Sequence, residues 1–134
     1  METAKIAAEQ YVNFETAKLL KERDFDIFTM TRFDDDGTFH HEGYYLTGDR
    51  DISAPTQAMV MQWIRETHGV HISIKLAVNP NIKTGFYAEI NRIEDGKWLG
   101  MSTRGENPNV GYDTYEEAAE KGIRFFLRDI IRML

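Results

Sequence analysis

The stretch His71-Ile72-Ser73-Ile74-Lys75-Leu76-Ala77-Val78 decides the fold. Ile72, Ile74, Leu76 and Val78 alternate with His71, Ser73, Lys75 and Ala77. A period of two puts the first set on one face of a β-strand and the second set on the other. Asn79-Pro80-Asn81 then turns the chain, and Thr84 to Ile93 repeats the pattern, with Phe86, Ala88 and Ile90 on one face and Tyr87, Glu89 and Asn91 opposite. Glu94-Asp95-Gly96 closes a hairpin into a third strand running from Lys97 to about Thr103. These segments read as a three-stranded antiparallel meander.

Helices are expected on both sides of it. Pro55 suits a first helical turn, where its missing N–H costs nothing, so Ser53 or Ala54 is the expected cap. Met59 with Trp63, and Val60 with Ile64, make an apolar stripe at i, i+4 spacing, and Gly69 is the expected stop. After the meander and a Gly105–Gly111 loop, Thr114 and Glu117 form a capping box. Tyr115, Ala119, Ile123, Phe126, Leu127, Ile130 and Leu134 give that last helix a broad apolar face. Gly122 lies on the same face and is expected to let helix and sheet approach closely.

Upstream, Asn13 caps a helix running to Asp24, with Phe14, Ala17 and Leu20 on one face. Tyr11 and Val12 lead into it as a short strand or packed segment. Asp26–Phe33 and Phe39–Leu46 are rich in β-formers, and Asp34-Asp35-Asp36-Gly37-Thr38 between them carries the Asp-Gly signal of a hairpin turn. The expected architecture is therefore α+β: a hairpin plus a three-stranded meander with three helices, ordered α-β-β-α-β-β-β-α. The whole chain, residues 1–134, is expected to be a single domain, a length typical of one.

Composition narrows the function classes. Sixteen Lys and Arg stand against 22 Asp and Glu, a net charge of −6. Residues 1–54 hold six basic and twelve acidic side chains, so all of the excess lies there and the remainder is neutral. Such acidity repels phosphate backbones and bilayer headgroups and attracts basic partners, and it also keeps a small protein soluble. With no cysteine there is neither a disulfide framework nor a thiolate zinc site. The start Met1-Glu2-Thr3-Ala4-Lys5 lacks a signal-peptide pattern, and no apolar run reaches the roughly 18 residues of a membrane span. A cytoplasmic setting is expected, without membrane contact.

No catalytic or cofactor motif appears, so no enzyme activity, cofactor or metal is expected. His40 and His41, as strand neighbours, point to opposite faces, and His68 and His71 straddle a helix end and a strand start. An EF-hand with Gly37 at its sixth position would begin at Arg32 and end at Gly43, where acidic ligands are required. A solvated hairpin tip accounts for the three aspartates. Ser53, Ser73 and Ser102 sit at a helix start and in strands, without a catalytic context.

Two surfaces are candidates for binding. Tyr44, Tyr45, Tyr87 and Trp98 could form an exposed aromatic patch for a protein partner or for self-association. Lys121, Arg124, Arg128 and Arg132 make a basic flank on the last helix, which could meet nucleic acid. The competing structural account of that flank is ion pairing, Glu117 with Lys121 and Glu120 with Arg124, at the favourable i, i+4 spacing. The leading expectation is a non-enzymatic protein-interaction or accessory module, and the alternative is a nucleic-acid-binding regulator using the basic flank.

From Pro55 to Leu134 the order α-β-β-β-α resembles a double-stranded RNA-binding domain. That module uses lysines near the start of its last helix, where this chain has Thr114-Tyr115-Glu116-Glu117, which argues against RNA binding by that route. Three stretches carry a broader resemblance: Phe14 to Glu22, Ala54-Pro55-Thr56-Gln57-Ala58 with Gln62 to His68, and Thr114 to Ala119. In these the chain resembles an uncharacterised family of small proteins from gut Bacteroidales bacteria and their phages. The resemblance implies a mobile-element or phage origin and no particular activity.

Overall fold

The computed structural model describes residues 10–41, 51–79, 82–104 and 111–134. They form an α+β fold in the expected order of helices and strands, with one short strand added. Helix α1 spans Phe14–Glu22, strands β1, β2 and β3 are Arg32–Phe33, Phe39–His40 and Ile52–Ser53, and helix α2 is Gln57–His68. Strands β4, β5 and β6 are Val70–Asn79, Ile82–Arg92 and Trp98–Ser102, and helix α3 is Tyr115–Phe125. The strands make two antiparallel sheets, ordered β2-β1-β3 and β4-β5-β6.

Asn13 caps α1 as expected, its side-chain oxygen accepting from the Thr16 N–H at 2.9 Å. Ala17 and Leu20 are buried, and Phe14 meets Phe33 edge-on with ring centroids 5.5 Å apart. The helix ends where Asp24 takes φ +63°, a left-handed conformation that Asp tolerates better than most residues. The β-former run after it is strand only at Arg32–Phe33, although extended structure was expected from Asp26. Thr29 and Thr31 instead donate their hydroxyls to the Thr31 and Ala54 carbonyls, at 2.6 and 2.7 Å. Thr31 O also accepts from the Ala54 N–H at 3.0 Å, continuing the β1–β3 pairing by one residue, while Ile27, Phe28 and Met30 upstream are left exposed.

The Asp34 turn is a five-residue loop. The Asp34 N–H donates to Thr38 O, the Gly37 N–H donates to Asp34 O, and Gly37 takes φ +83°. Ser53 joins β3 opposite Arg32, so it is not the cap of α2. Thr56 caps that helix, accepting from the Met59 N–H at 3.1 Å, and Pro55 stands one residue ahead of the cap. A threonine hydroxyl satisfies a free helical N–H, which neither Ala54 nor the proline ring can do. Pro55 O accepts from the Val12 N–H at 3.0 Å, making the lead-in segment a bridge to α2. Gly69 ends α2 at φ +65°, as expected.

The meander forms as three antiparallel strands, with Ile72 opposite Ile90 and Ile74 opposite Ala88. Its Val70, Ile72, Ala88 and Ile90 face is buried under α3 and α2. Gly122 explains the closeness of α3: a Cβ there would lie 2.5 Å from Ala88 Cβ. Past Phe125 the helix widens into a π turn over Phe126–Ile130 and finishes as a 3-10 turn over Ile131–Met133. This change of pitch ends the apolar stripe, so Phe126, Leu127 and Ile130 are buried but Leu134 is 54% exposed. Tyr115, also expected on the core face, is largely exposed and packs edge-on against Phe86. Val12, Leu20, Phe33 and Ala54 join Ile64, Ile90, Ile123 and Phe126 in one buried cluster.

Candidate interaction surfaces

Every described helix that touches the β4-β5-β6 sheet lies on its Ile72–Ile90 face. The register places His71 opposite Asn91, Ser73 opposite Glu89 and Lys75 opposite Tyr87 on the other face. A bulge between Ile90 and Asn91 sets Trp98 level with Asn91, while Met101 is level with Glu89. No described element packs on this face. Trp98 is 56% exposed, Met101 and Lys75 are exposed, and Tyr87 is half-buried. Lys75 Nζ meets Glu89 Oε2 at 3.0 Å, and that carboxylate holds the ammonium above its usual range. The structure thus puts Tyr87 and Trp98 on one open face, with Met101 and Glu89 in the row between them. Tyr44 and Tyr45 lie outside the described residues.

The core-side face of the sheet also extends past its cover. Leu76 is 56% exposed and Val78 69% exposed at the far end of β4, although their alternation with Lys75 and Ala77 marks them as core-facing.

The basic flank is arranged differently from its expected ion pairing. Neither Glu117–Lys121 nor Glu120–Arg124 forms. Glu120 turns toward α1 and α2, accepting from the Thr16 hydroxyl, the Asn13 N–H at 3.1 Å and Gln57 Nε2 at 3.0 Å. Three hydrogen bonds to one carboxylate outweigh a single exposed ion pair. Lys121, Arg124 and Arg128 then border a cavity of about 210 Å³ with Ser102, Tyr112 and Asp129. Arg132, in the 3-10 turn, is not part of it. Arg124 Nε is buried with no hydrogen-bond partner.

Sequence reasoning did not find the polar wall of this cavity. Tyr112 pairs with β5 through Phe86, at 2.7 and 2.8 Å, continuing the line of β6 along that strand. The crossing requires Gly85 and Gly111, since a Cβ on Gly111 would lie 2.4 Å from the Gly85 carbonyl carbon. Tyr112 OH donates to Thr103 O at 2.9 Å and lies 3.1 Å from Ser102 Oγ. Two glycines more than twenty positions apart gave no local signal of this contact.

Among the described residues the histidines do not converge. His40 Nε2 meets Asp34 Oδ2 at 2.9 Å, His68 packs between the Trp63 and Phe126 rings, and His71 is exposed on the open face. Carboxylate oxygens of Asp34, Asp35 and Asp36 lie within 4.8 Å of one another. Asp34 is already committed to the turn: Oδ1 accepts from the Asp36 and Thr38 N–H groups, and Oδ2 meets His40. The His40 contact, followed by the Thr38 and Asp36 N–H bonds, holds the Asp34 carboxyl below its usual range. Comparison of the chain with protein-family models, curated proteins and solved structures gives no match.

Proposed function

We propose that this chain is a non-enzymatic protein-interaction module that self-associates through the open face of its β4-β5-β6 sheet. One observation carries the reading: the described helices cover only one side of the sheet and leave Trp98, Met101 and half of Tyr87 in solvent. Tyr, Trp and Met are the side chains enriched at the centres of protein interfaces. A second copy is the occupant that the charges favour. The face carries Lys75 and Glu89 as a matched pair, so two copies meet there without net repulsion, whereas the acidic residues 1–54 would repel. The lack of a catalytic motif supports binding over chemistry. The resemblance of the three helical stretches to the Bacteroidales and phage family supports an accessory role of mobile-element origin. The acidic, cysteine-free composition supports a cytoplasmic setting.

Light scattering over a wide concentration range tests the proposal. The expected result is a concentration-dependent dimer that Trp98→Ala or Met101→Lys returns to monomer with the thermal midpoint nearly unchanged, because both side chains are exposed. A wild-type protein that is monomeric at every concentration overturns it.

The unpaired Lys121, Arg124 and Arg128 favour a second reading, a nucleic-acid-binding regulator. Its mark would be duplex binding that weakens steeply with salt. No binding at low salt removes it.

A further inference from the structure

We infer that the cavity between α3 and the end of β6 is a binding site for a single phosphoryl group of a small phosphate ester or of free phosphate. Three features carry this, and none depends on the self-association proposed above.

The first is charge. Lys121, Arg124 and Arg128 border the cavity and Asp129 is the one carboxylate among its lining residues, leaving an excess of two positive charges in a molecule of net charge −6. A concentration of one sign within a concave site raises the local potential for the opposite sign.

The second is that the cations are available. Glu120, one turn before Arg124, is held by Thr16, Asn13 and Gln57, and the residue one turn before Arg128 is Arg124 itself. Among the described residues Lys121, Arg124 and Arg128 have no ion-pair partner, and Arg124 Nε is buried without a hydrogen-bond partner. Arg124 lines the cavity with its guanidinium, which no carboxylate among the described residues pairs. The opposite wall behaves differently, since Tyr112 OH is already engaged with Thr103 and Ser102. That wall supplies shape, and the three cations supply the donors.

The third is size. At about 210 Å³ the cavity is below the roughly 300 Å³ at which sites for whole drug-sized ligands begin. It suits one tetrahedral oxyanion, with any remaining part of an ester extending into solvent. Two guanidinium forks and an ammonium match the several acceptor oxygens of a phosphoryl group better than the two of a carboxylate.

Titration with inorganic phosphate at low ionic strength, followed by backbone amide shifts, tests the site. The expected result is saturable shifts confined to residues around Ser102, Tyr112 and 121–129, with acetate failing to saturate. Lys121→Gln, Arg124→Gln and Arg128→Gln should each weaken binding about tenfold, the scale of one charge-assisted hydrogen bond. Arg132→Gln, outside the cavity, should bind as the wild type does. A nucleoside monophosphate should bind at least as well as free phosphate. Lys121 and Arg128 are exposed, so their variants remain informative if Arg124→Gln lowers the thermal midpoint. Absence of saturation at tens of millimolar phosphate, or unchanged affinity in folded Lys121→Gln and Arg128→Gln, overturns the proposal. So does preferential binding of duplex that Arg132→Gln weakens as much as Arg124→Gln, which would assign the whole strip to nucleic acid.

Discussion

His68 shows how a single side chain ties this fold to pH. Its ring lies 5.1 Å from that of Trp63 and 5.5 Å from that of Phe126, and Nε2 is buried with no hydrogen-bond partner. Burial pushes its pKa below the ordinary 6.5, so the folded protein takes up a proton less readily than the unfolded chain does. The unfolded state therefore binds more protons below that pH, and stability declines as the pH falls from 6.5 toward the lowered value. The thermal midpoint should drop between pH 7 and pH 5, and His68→Leu should flatten that part of the profile. An unchanged slope in the variant would assign the acid sensitivity to other groups. In the sequence His68 was only a histidine at a helix end. Its partners are five positions away at Trp63 and fifty-eight away at Phe126, and only the latter distance needed the tertiary fold to close.

Among the elements, the pairing of α3 with the sheet gives the sharpest test. Gly122→Ala should destabilise the protein by about 1–3 kcal/mol, because the added methyl would lie 2.5 Å from Ala88 Cβ across a packed seam. Ala88→Gly in the same chain should recover part of that loss, since the obstruction is one methyl against another. Urea unfolding of the two single variants and the double variant would measure the coupling. The period-two run at 71–78 announced the strand, and the 3.6-period stripe together with Gly122 announced the helix that covers it. What sequence did not announce was where each element stops. The pairing of β1 with β3 stops at Thr31 and Ala54, Thr56 displaces Ser53 and Ala54 as the cap, and the π turn leaves Leu134 outside. The candidate surfaces follow the same division. Trp98 and Tyr87 were legible from alternation, whereas the availability of Arg124 depends on Glu120 choosing partners more than sixty residues away.

For the whole molecule, Glu120 is the point at which the three helices meet. Its carboxylate takes hydrogen bonds from Asn13 and Thr16 at the start of α1 and from Gln57 at the start of α2. Glu120→Ala should cost about 1–3 kcal/mol by leaving these donors unpaired, and Glu120→Gln should cost less because one amide oxygen still accepts. Denaturant midpoints of the two variants would rank them, and equal losses would show that shape alone matters there. Arg23 adds a second long tie, its Nε donating to Leu127 O at 3.0 Å. These bonds join residues 107 and 104 positions apart. Contacts so distant along the chain require closing a large loop before they return any free energy, which slows folding. During synthesis the first helix therefore meets Phe33 and β3 early, but the part of its docking site that α3 supplies is missing until that helix has left the ribosome. Leu20 and its neighbours stay incompletely covered for that interval, which makes the nascent protein a natural client for chaperones that shield apolar segments.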